Sequence, residues 1–516
     1  MSVHARIFRN SYRDSVELMR IASELEGLDG ITRAGLVMAT PANREVLQEA
    51  GLLTDEARAA GPNDLVVAVA ADDDEQAAPA LDRAAERLSG SGESESADAA
   101  RTAWRTIAEG MAELGGADVA LISTPGTYAT AEAMKALKRG VNVFLFSDNV
   151  PIEDEIELKH LAVARGLLLM GPDCGTSILD GVPLGFANAV RRGDIGLIGA
   201  SGTGLQQVSS LIDRAGAGVS QAIGVGGRDL DARVGGTMML AALRRLDTDP
   251  GTRVIVLISK PPAEAVARKV LEAAALIGTP VVVNFLGGDP AAAAEHGLIG
   301  ARTFEAAANA AVALSRGEPV PDDSKPEPGA VEAIAAAKAQ LGDGQWRIRG
   351  LYAGGSLAGE AKLVLGWVLG SDRAKRHEVL DLGDDEYTVG RPHPMIDPRL
   401  RNEYIAAAAD DPSTAVILLD VVLGYGANAD PAGALAPAIR DARERAARGG
   451  RSIAIVASVC GTETDPQVRS VQESALAAAG VTMSPSNARA AAIGAAIAIG
   501  RDPVAQLNTV DAGAAR

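Results

Sequence analysis

Short apolar runs alternate with amphipathic stretches along most of this chain, a pattern that predicts strands separated by helices. Ala5–Phe8, Ile31–Met38 and Leu65–Ala70 read as strands, with helices at Ser15–Leu25, Asn43–Ala50 and Asp82–Leu88. Val119–Ile122, Val143–Phe146 and Leu167–Met170 read as further strands around helices Ala129–Arg139 and Glu155–Ala164. A third block has strands at Asp194–Gly199, Gln221–Val225, Val254–Ile258 and Val281–Phe285, with helices at Thr203–Ala215, Gly236–Leu246 and Ala263–Leu276 between them. The alternation in this third block implies right-handed crossovers and a parallel sheet.

Polar breaks divide the pattern. Ser89–Ala97 (SGSGESESA) reads as a flexible loop, and Gly317–Gly329 (GEPVPDDSKPEPG) as the strongest domain boundary. Beyond it, strands Arg347–Ala353, Val416–Asp420 and Ser452–Ala457 each lead into a glycine-containing turn, with helices through Val368 and over Ala434–Arg448. Gly354-Gly355-Ser356 repeats the small-residue pattern of Ser201-Gly202-Thr203, so the two halves read as related lobes. The expected class is α/β, with several Rossmann-like or flavodoxin-like parallel-sheet domains. The expected divisions are an N-terminal domain at 1–90, a Rossmann domain at 98–190, one lobe at 191–316, a linker region at 317–345 and a second lobe at 346–516.

Composition supports that class and excludes others. The chain has 516 residues, 47% hydrophobic but only 3% aromatic, with 57 glycines, so small aliphatic side chains do the packing. A net charge of -18 disfavours nucleic acid. No apolar run is long enough for a membrane helix, and Met1–Asn10 lacks the apolar centre of a signal peptide. Two cysteines, Cys174 and Cys460, cannot form a disulfide framework. A cytoplasmic protein is expected.

The candidate chemistry lies in turns that follow strands, where ligands of parallel sheets collect. Ser201-Gly202-Thr203-Gly204 opens a helix; its amides and hydroxyls suit an anion, or Ser201 and Thr203 act as plain caps. Gly171-Pro172-Asp173-Cys174 reads either as a turn at the cleft or as a tight connection holding a buried cysteine. Gly226-Gly227-Arg228 offers a carboxylate or phosphate clamp, or a surface ion pair. Gly424-Tyr425-Gly426 and Cys460-Gly461-Thr462 are further candidate ligand turns, and Glu463 and Asp465 could bind a cation, take a proton or cap. Gly390–Arg401 (GRPHPMIDPRLR) concentrates cations in a proline-stiffened loop, so Arg391, His393 and Arg399 are candidate catalytic or substrate-holding groups. There is no phosphate-loop lysine motif, no HExxH and no metal-spaced Cys/His cluster, so no metal site is expected.

The order Gly171-Pro172-Asp173-Cys174, Gly196–Gly204 (GLIGASGTG), Ile223–Asp229 (IGVGGRD) resembles the alpha subunit of succinyl-CoA synthetase over about Asp118 to Val312. From about Gly350 the chain looks like the CoA-ligase lobe of the beta subunit. With the opening VHARIFRNSYRDSVELM and the PHPMID loop, the whole is similar to the FdrA family, in which such lobes are fused behind an N-terminal α/β domain. The phosphohistidine loop of the synthetases corresponds here to Gly287-Gly288-Asp289-Pro290, with His296 nearby, and the supporting glutamate falls at Lys260. No segment corresponds to an ATP-grasp domain. The resemblance implies a carbamoyl transfer subunit of purine nitrogen catabolism, converting oxalurate and phosphate to oxamate and carbamoyl phosphate. Phosphate would sit on Ser201–Gly204 or Gly424–Gly426, and Arg391 or Arg399 would hold the oxamate carboxylate. The alternatives are an ADP-forming acyl-CoA synthetase and a non-catalytic metabolite-binding subunit. The implied ligands are acyl phosphate or CoA, with magnesium and nucleotide only through a partner; separately encoded partner subunits and an oligomer are implied too.

Overall fold

The computed structural model describes residues 2–11, 13, 15–90, 104–321, 330–388 and 391–499. The chain divides into two units, residues 1–106 with 383–397, and residues 107–382 with 398–516.

In the first unit, strands Ser2–Phe8, Leu65–Ala71 and Ile31–Met38 form one sheet in that order. Both pairings are antiparallel. Strand–helix alternation sets the direction of the first two strands but not their adjacency, and the third strand enters between them running the other way. Every residue of Leu65–Ala71 is buried, because side chains alternate between two covered faces. Leu65, Val67 and Val69 pack with helices Ser15–Glu26 and Asp74–Gly90. Val66, Ala68 and Ala70 pack with Leu47, Leu52 and Ala57. Ser89 and Gly90 of the expected loop end the helix Asp74–Gly90, while 91–97 lie outside the described residues.

Among the described residues the second unit holds three sheets. Val119–Ile122, Asn142–Leu145 and Leu169–Met170 form a small parallel sheet. The second sheet has seven strands, in the order Ile299–Gly300, Val281–Phe285, Val254–Ser259, Arg192–Ala200, Val219–Gly224, Thr176–Leu179, Val182–Gly185. Its first five strands are parallel and its last two are an antiparallel hairpin. The hairpin turns at Asp180-Gly181, both with positive φ (50° and 84°), the conformation a two-residue hairpin favours. It joins the sheet from before residue 190, so the sheet crosses the division expected there. The third sheet is all parallel: Glu378–Asp381, Arg347–Tyr352, Thr414–Val422, Ala454–Cys460, Thr482–Ser484. Within the expected linker region, Ala330–Ala339 is a helix and 322–329 lie outside the described residues. No helix among the described residues is long and apolar enough to cross a membrane.

Candidate functional site

Both larger sheets of the second unit send a strand into a helix through small residues, and these two turns meet. Strand Arg192–Ala200 ends at Ser201, whose extended backbone and side chain cap the helix Gly202–Arg214 by accepting the Gly204 amide at 3.0 Å. Position 204 must be glycine, since a Cβ would lie 2.3 Å from Ser201 Oγ and 2.9 Å from Ile258. Strand Arg347–Tyr352 passes through Ala353-Gly354 into the helix Gly355–Leu369. Ser201 Oγ and Ser356 Oγ lie 2.6 Å apart, both buried, so the two helix starts are hydrogen-bonded side by side. The amides of Gly202, Thr203 and Gly355 make no hydrogen bond among the described residues, and these three residues are partly exposed. Such amides, backed by the helix dipole, are suited to an anion. Asp381 stands at its edge, with its carboxylate against Gly355.

The other candidate turns do structural work. Gly424 donates its amide to Gln467 Oε1 (3.0 Å), and Tyr425 donates to the Ala187 carbonyl (2.9 Å). Cβ atoms at Gly424 and Gly426 would strike Ala187 and Phe186. Thr462 donates its amide to Asp465 (2.8 Å) and its hydroxyl to the Ala189 carbonyl (2.6 Å). Asp465 also accepts from Asn188 Nδ2 (2.8 Å) and the Ala189 amide (2.7 Å). Gly461 packs against Leu423. The amides of Gly424 and Thr462 are thus spent within their own lobe, that of Tyr425 reaches across to Ala187, and two of the three amides of the expected phosphate seat at Gly424–Gly426 are already bonded.

Gly171–Cys174 and Gly226–Arg228 pack on one another, with the Cβ position of Gly226 2.4 Å from the Pro172 carbonyl and Gly227 facing Asp173. Arg228 does not clamp an anion: it donates to the Val150 carbonyl (2.8 Å) and pairs with buried Glu155 (2.9 Å). Beneath it, fully buried Lys159 contacts Glu155, Asp229 and the Val225 carbonyl at 2.8–2.9 Å. Cys174 is buried, and that burial pushes its thiol up to about 12, so it is no nucleophile at neutral pH.

Arg391 and His393 belong to the first unit and Arg399 to the second. His393 closes a local turn, Nδ1 accepting the Met395 amide at 3.2 Å. Arg399 opens the helix Arg399–Asp410. Gly390 lies outside the described residues. Lys260 is exposed after the strand Val254–Ser259. Register pairs Val282 with Ile299, so His296, which precedes Ile299, lies toward the amino ends of the strands, opposite Ser201. The sequence pattern does not single out the buried pair Arg401–Asp420 (2.9 Å), whose carboxylate takes the amides of Ala353 and Gly354.

Residues 351–497 match the CoA-ligase family, residues 190–288 the CoA binding domain, and residues 1–103 the AllF heavy metal-associated domain. The protein YahF of Escherichia coli K12 is 42% identical over 508 residues, covering 94% of this chain and 97% of its own. This is an FdrA-type protein of the CoA-ligase superfamily. Subunit alpha 2 of the ADP-forming succinate–CoA ligase of Archaeoglobus fulgidus is 28% identical over 148 residues, 28% of this chain and 50% of that one. Subunit SauD of the ADP-forming sulfoacetate–CoA ligase of Bilophila wadsworthia is 27% identical over 181 residues, 33% of this chain and 60% of that one. The FdrA-type chain thus spans about half the length of the ligase subunits it matches. It is acyl-CoA synthetase-like, and these relatives give no support to the expected carbamoyl transfer.

The CoA-binding match covers the parallel core of the seven-stranded sheet, including Ser201–Gly204, rather than residues 98–190. Its open turn amides fit a phosphate-bearing ligand such as CoA. The heavy-metal match finds no counterpart in ligands. The first unit contains no cysteine, since the two in the chain are Cys174 and Cys460. Its His4 is paired with Asp74 at 2.9 Å. Among the described residues there is no cluster of three His, Cys, Asp or Glu side chains that could hold a metal ion.

Proposed function

We propose that this FdrA-type protein carries the acyl-phosphate half of an acyl-CoA synthetase reaction. The phosphate group sits where the helices Gly202–Arg214 and Gly355–Leu369 begin. The hydrogen bond between Ser201 and Ser356 supports this reading, because it sets two helix starts with open amides beside each other. In the step envisaged, the CoA thiolate attacks the acyl carbonyl carbon. The bond from that carbon to the phosphate oxygen breaks, phosphate leaves, and the thiol proton passes to solvent. The amides of Gly202, Thr203 and Gly355 stabilise the charge on the departing phosphate, which is the contribution a preformed set of donors makes best. The phosphohistidine route finds no support in His296, which lies at the other end of the strands. Nucleotide chemistry falls to a separate partner subunit. Arg399, in the same unit as the seat, remains a candidate for holding the acyl group's own carboxylate.

The test is arsenolysis. Arsenate replaces phosphate, and the acyl arsenate hydrolyses, so CoA is released irreversibly. The full chain is incubated with succinyl-CoA or acetyl-CoA, with and without arsenate, and free thiol is measured. Arsenate-dependent release that is lost in Ser201→Asp supports the reading, since the new carboxylate occupies the anion seat. Equal release in Ser201→Asp, or no release together with no phosphate binding by calorimetry, overturns it.

A further inference from the structure

Asp420 lies within the strand Thr414–Val422 and is fully buried. Its two carboxylate oxygens take two neighbouring amides, Ala353 N–H at 2.8 Å and Gly354 N–H at 2.7 Å. Arg401, 2% exposed on the helix Arg399–Asp410, donates one Nη1 to Asp420 Oδ1 (2.9 Å) and to the Asp420 carbonyl (2.7 Å). A Cβ at Gly354 would lie 3.0 Å from the Thr203 methyl and 3.1 Å from Asp420 Oδ2. The Gly354 turn is therefore packed against Thr203 of one lobe and held by Asp420 of the other.

We infer that Asp420, held by Arg401, is the positioning residue of the phosphate seat, fixing the turn so that the next amide, that of Gly355, stays open beside Gly202 and Thr203. This rests on the phosphate reading above. The chemistry demands a carboxylate: two adjacent amide donors need two acceptor oxygens in one plane, whereas a carboxamide offers one and turns an N–H against the other. A carboxylate under an anion site would repel the ligand, and Arg401 cancels that charge. The buried Tyr352 hydroxyl and the buried Cys460 thiol are the other titratable groups that feel the Asp420 charge. Neither supplies a compensating positive charge.

The two roles predict opposite signs. If Asp420 acted only through its charge, Asp420→Asn would tighten anion binding. If it positions the turn, the same variant weakens phosphate binding despite losing a negative charge, by about tenfold for one misplaced buried hydrogen bond. Inorganic phosphate is titrated into the full chain by calorimetry at fixed ionic strength, well below the melting temperature of each variant. Weaker binding in folded Asp420→Asn supports the inference; unchanged or tighter binding overturns it. Should Asp420→Asn fail to fold, Arg401→Lys decides by the same criterion. It keeps the positive charge on a shorter side chain whose ammonium falls short of the Nη1 position that contacts both the carboxylate and the carbonyl of Asp420, so severalfold weaker binding is expected. A wild-type chain that binds no phosphate removes the phosphate reading itself, and the inference with it. Binding by wild type with no loss in either variant removes the inference alone.

Discussion

Glu360 gives the sharpest test of the packing between the lobes. It sits on the helix Gly355–Leu369, 1% exposed, and accepts the Phe304 amide (2.7 Å) and Asn487 Nδ2 (2.8 Å). Burial raises its carboxyl from 4.5 to about 7, the two hydrogen bonds offsetting only part of the desolvation, and neighbouring Glu305 adds repulsion. The folded chain therefore keeps a proton that the unfolded chain releases between 4.5 and about 7. Its contribution to stability is complete below 4.5 and is lost as the pH rises through about 7. A tenfold difference in proton affinity between the folded and unfolded chain is worth about 1.36 kcal/mol, so the loss is about 3 kcal/mol. Urea denaturation followed by tryptophan fluorescence, from pH 5 to pH 8, compares wild type with Glu360→Gln. The carboxylates common to both chains cancel in the difference. Wild type should lose about 3 kcal/mol more than Glu360→Gln across this range. Parallel stability profiles for the two proteins would refute the reasoning.

Two further outcomes follow from burial. Burial raises both thiols, that of Cys174 to about 12, so a disulfide reagent at pH 8 should label neither in the native protein and both in denaturant. Rapid native labelling of either would contradict their placement. Asp465→Ala strands the amides of Ala189 and Thr462 and removes one of the two acceptors of Asn188. At about 1–3 kcal/mol for each of the two stranded donors, the variant should lose about 2–6 kcal/mol by denaturant titration. A loss below about 1 kcal/mol would show that the seam tolerates unpaired amide donors.

The parallel strands are legible in the sequence because a strand covered on both faces is a continuous apolar run, as Val254–Ser259 is. The hairpin Thr176–Gly185 is hard to read although Asp180-Gly181 is a direct turn signal, because Pro183 and Gly185 break the apolar alternation around it. Gly424–Gly426 misleads for a general reason. A glycine after a strand signals close backbone approach, and sequence alone does not say whether a ligand or the chain's own Phe186 and Ala187 does the approaching. Ser201-Gly202-Thr203 and Gly354-Gly355-Ser356 are both visible as patterns, but their meeting joins residues 155 apart in sequence. Arg401 stands at the end of the cationic loop, yet its partner Asp420 lies in an apolar strand and reads as one more strand residue.

The bond between Ser201 and Ser356 has a bearing on how the site responds to scarcity. In an enzyme that draws two such helices from different polypeptides, the assembled fraction falls as the protein is diluted. Here both belong to one chain, so their local concentration is set by the covalent connection and not by the number of molecules present. Phosphate affinity should therefore be the same at nanomolar protein as at micromolar, and a cell can hold this protein at trace levels without disassembling the seat.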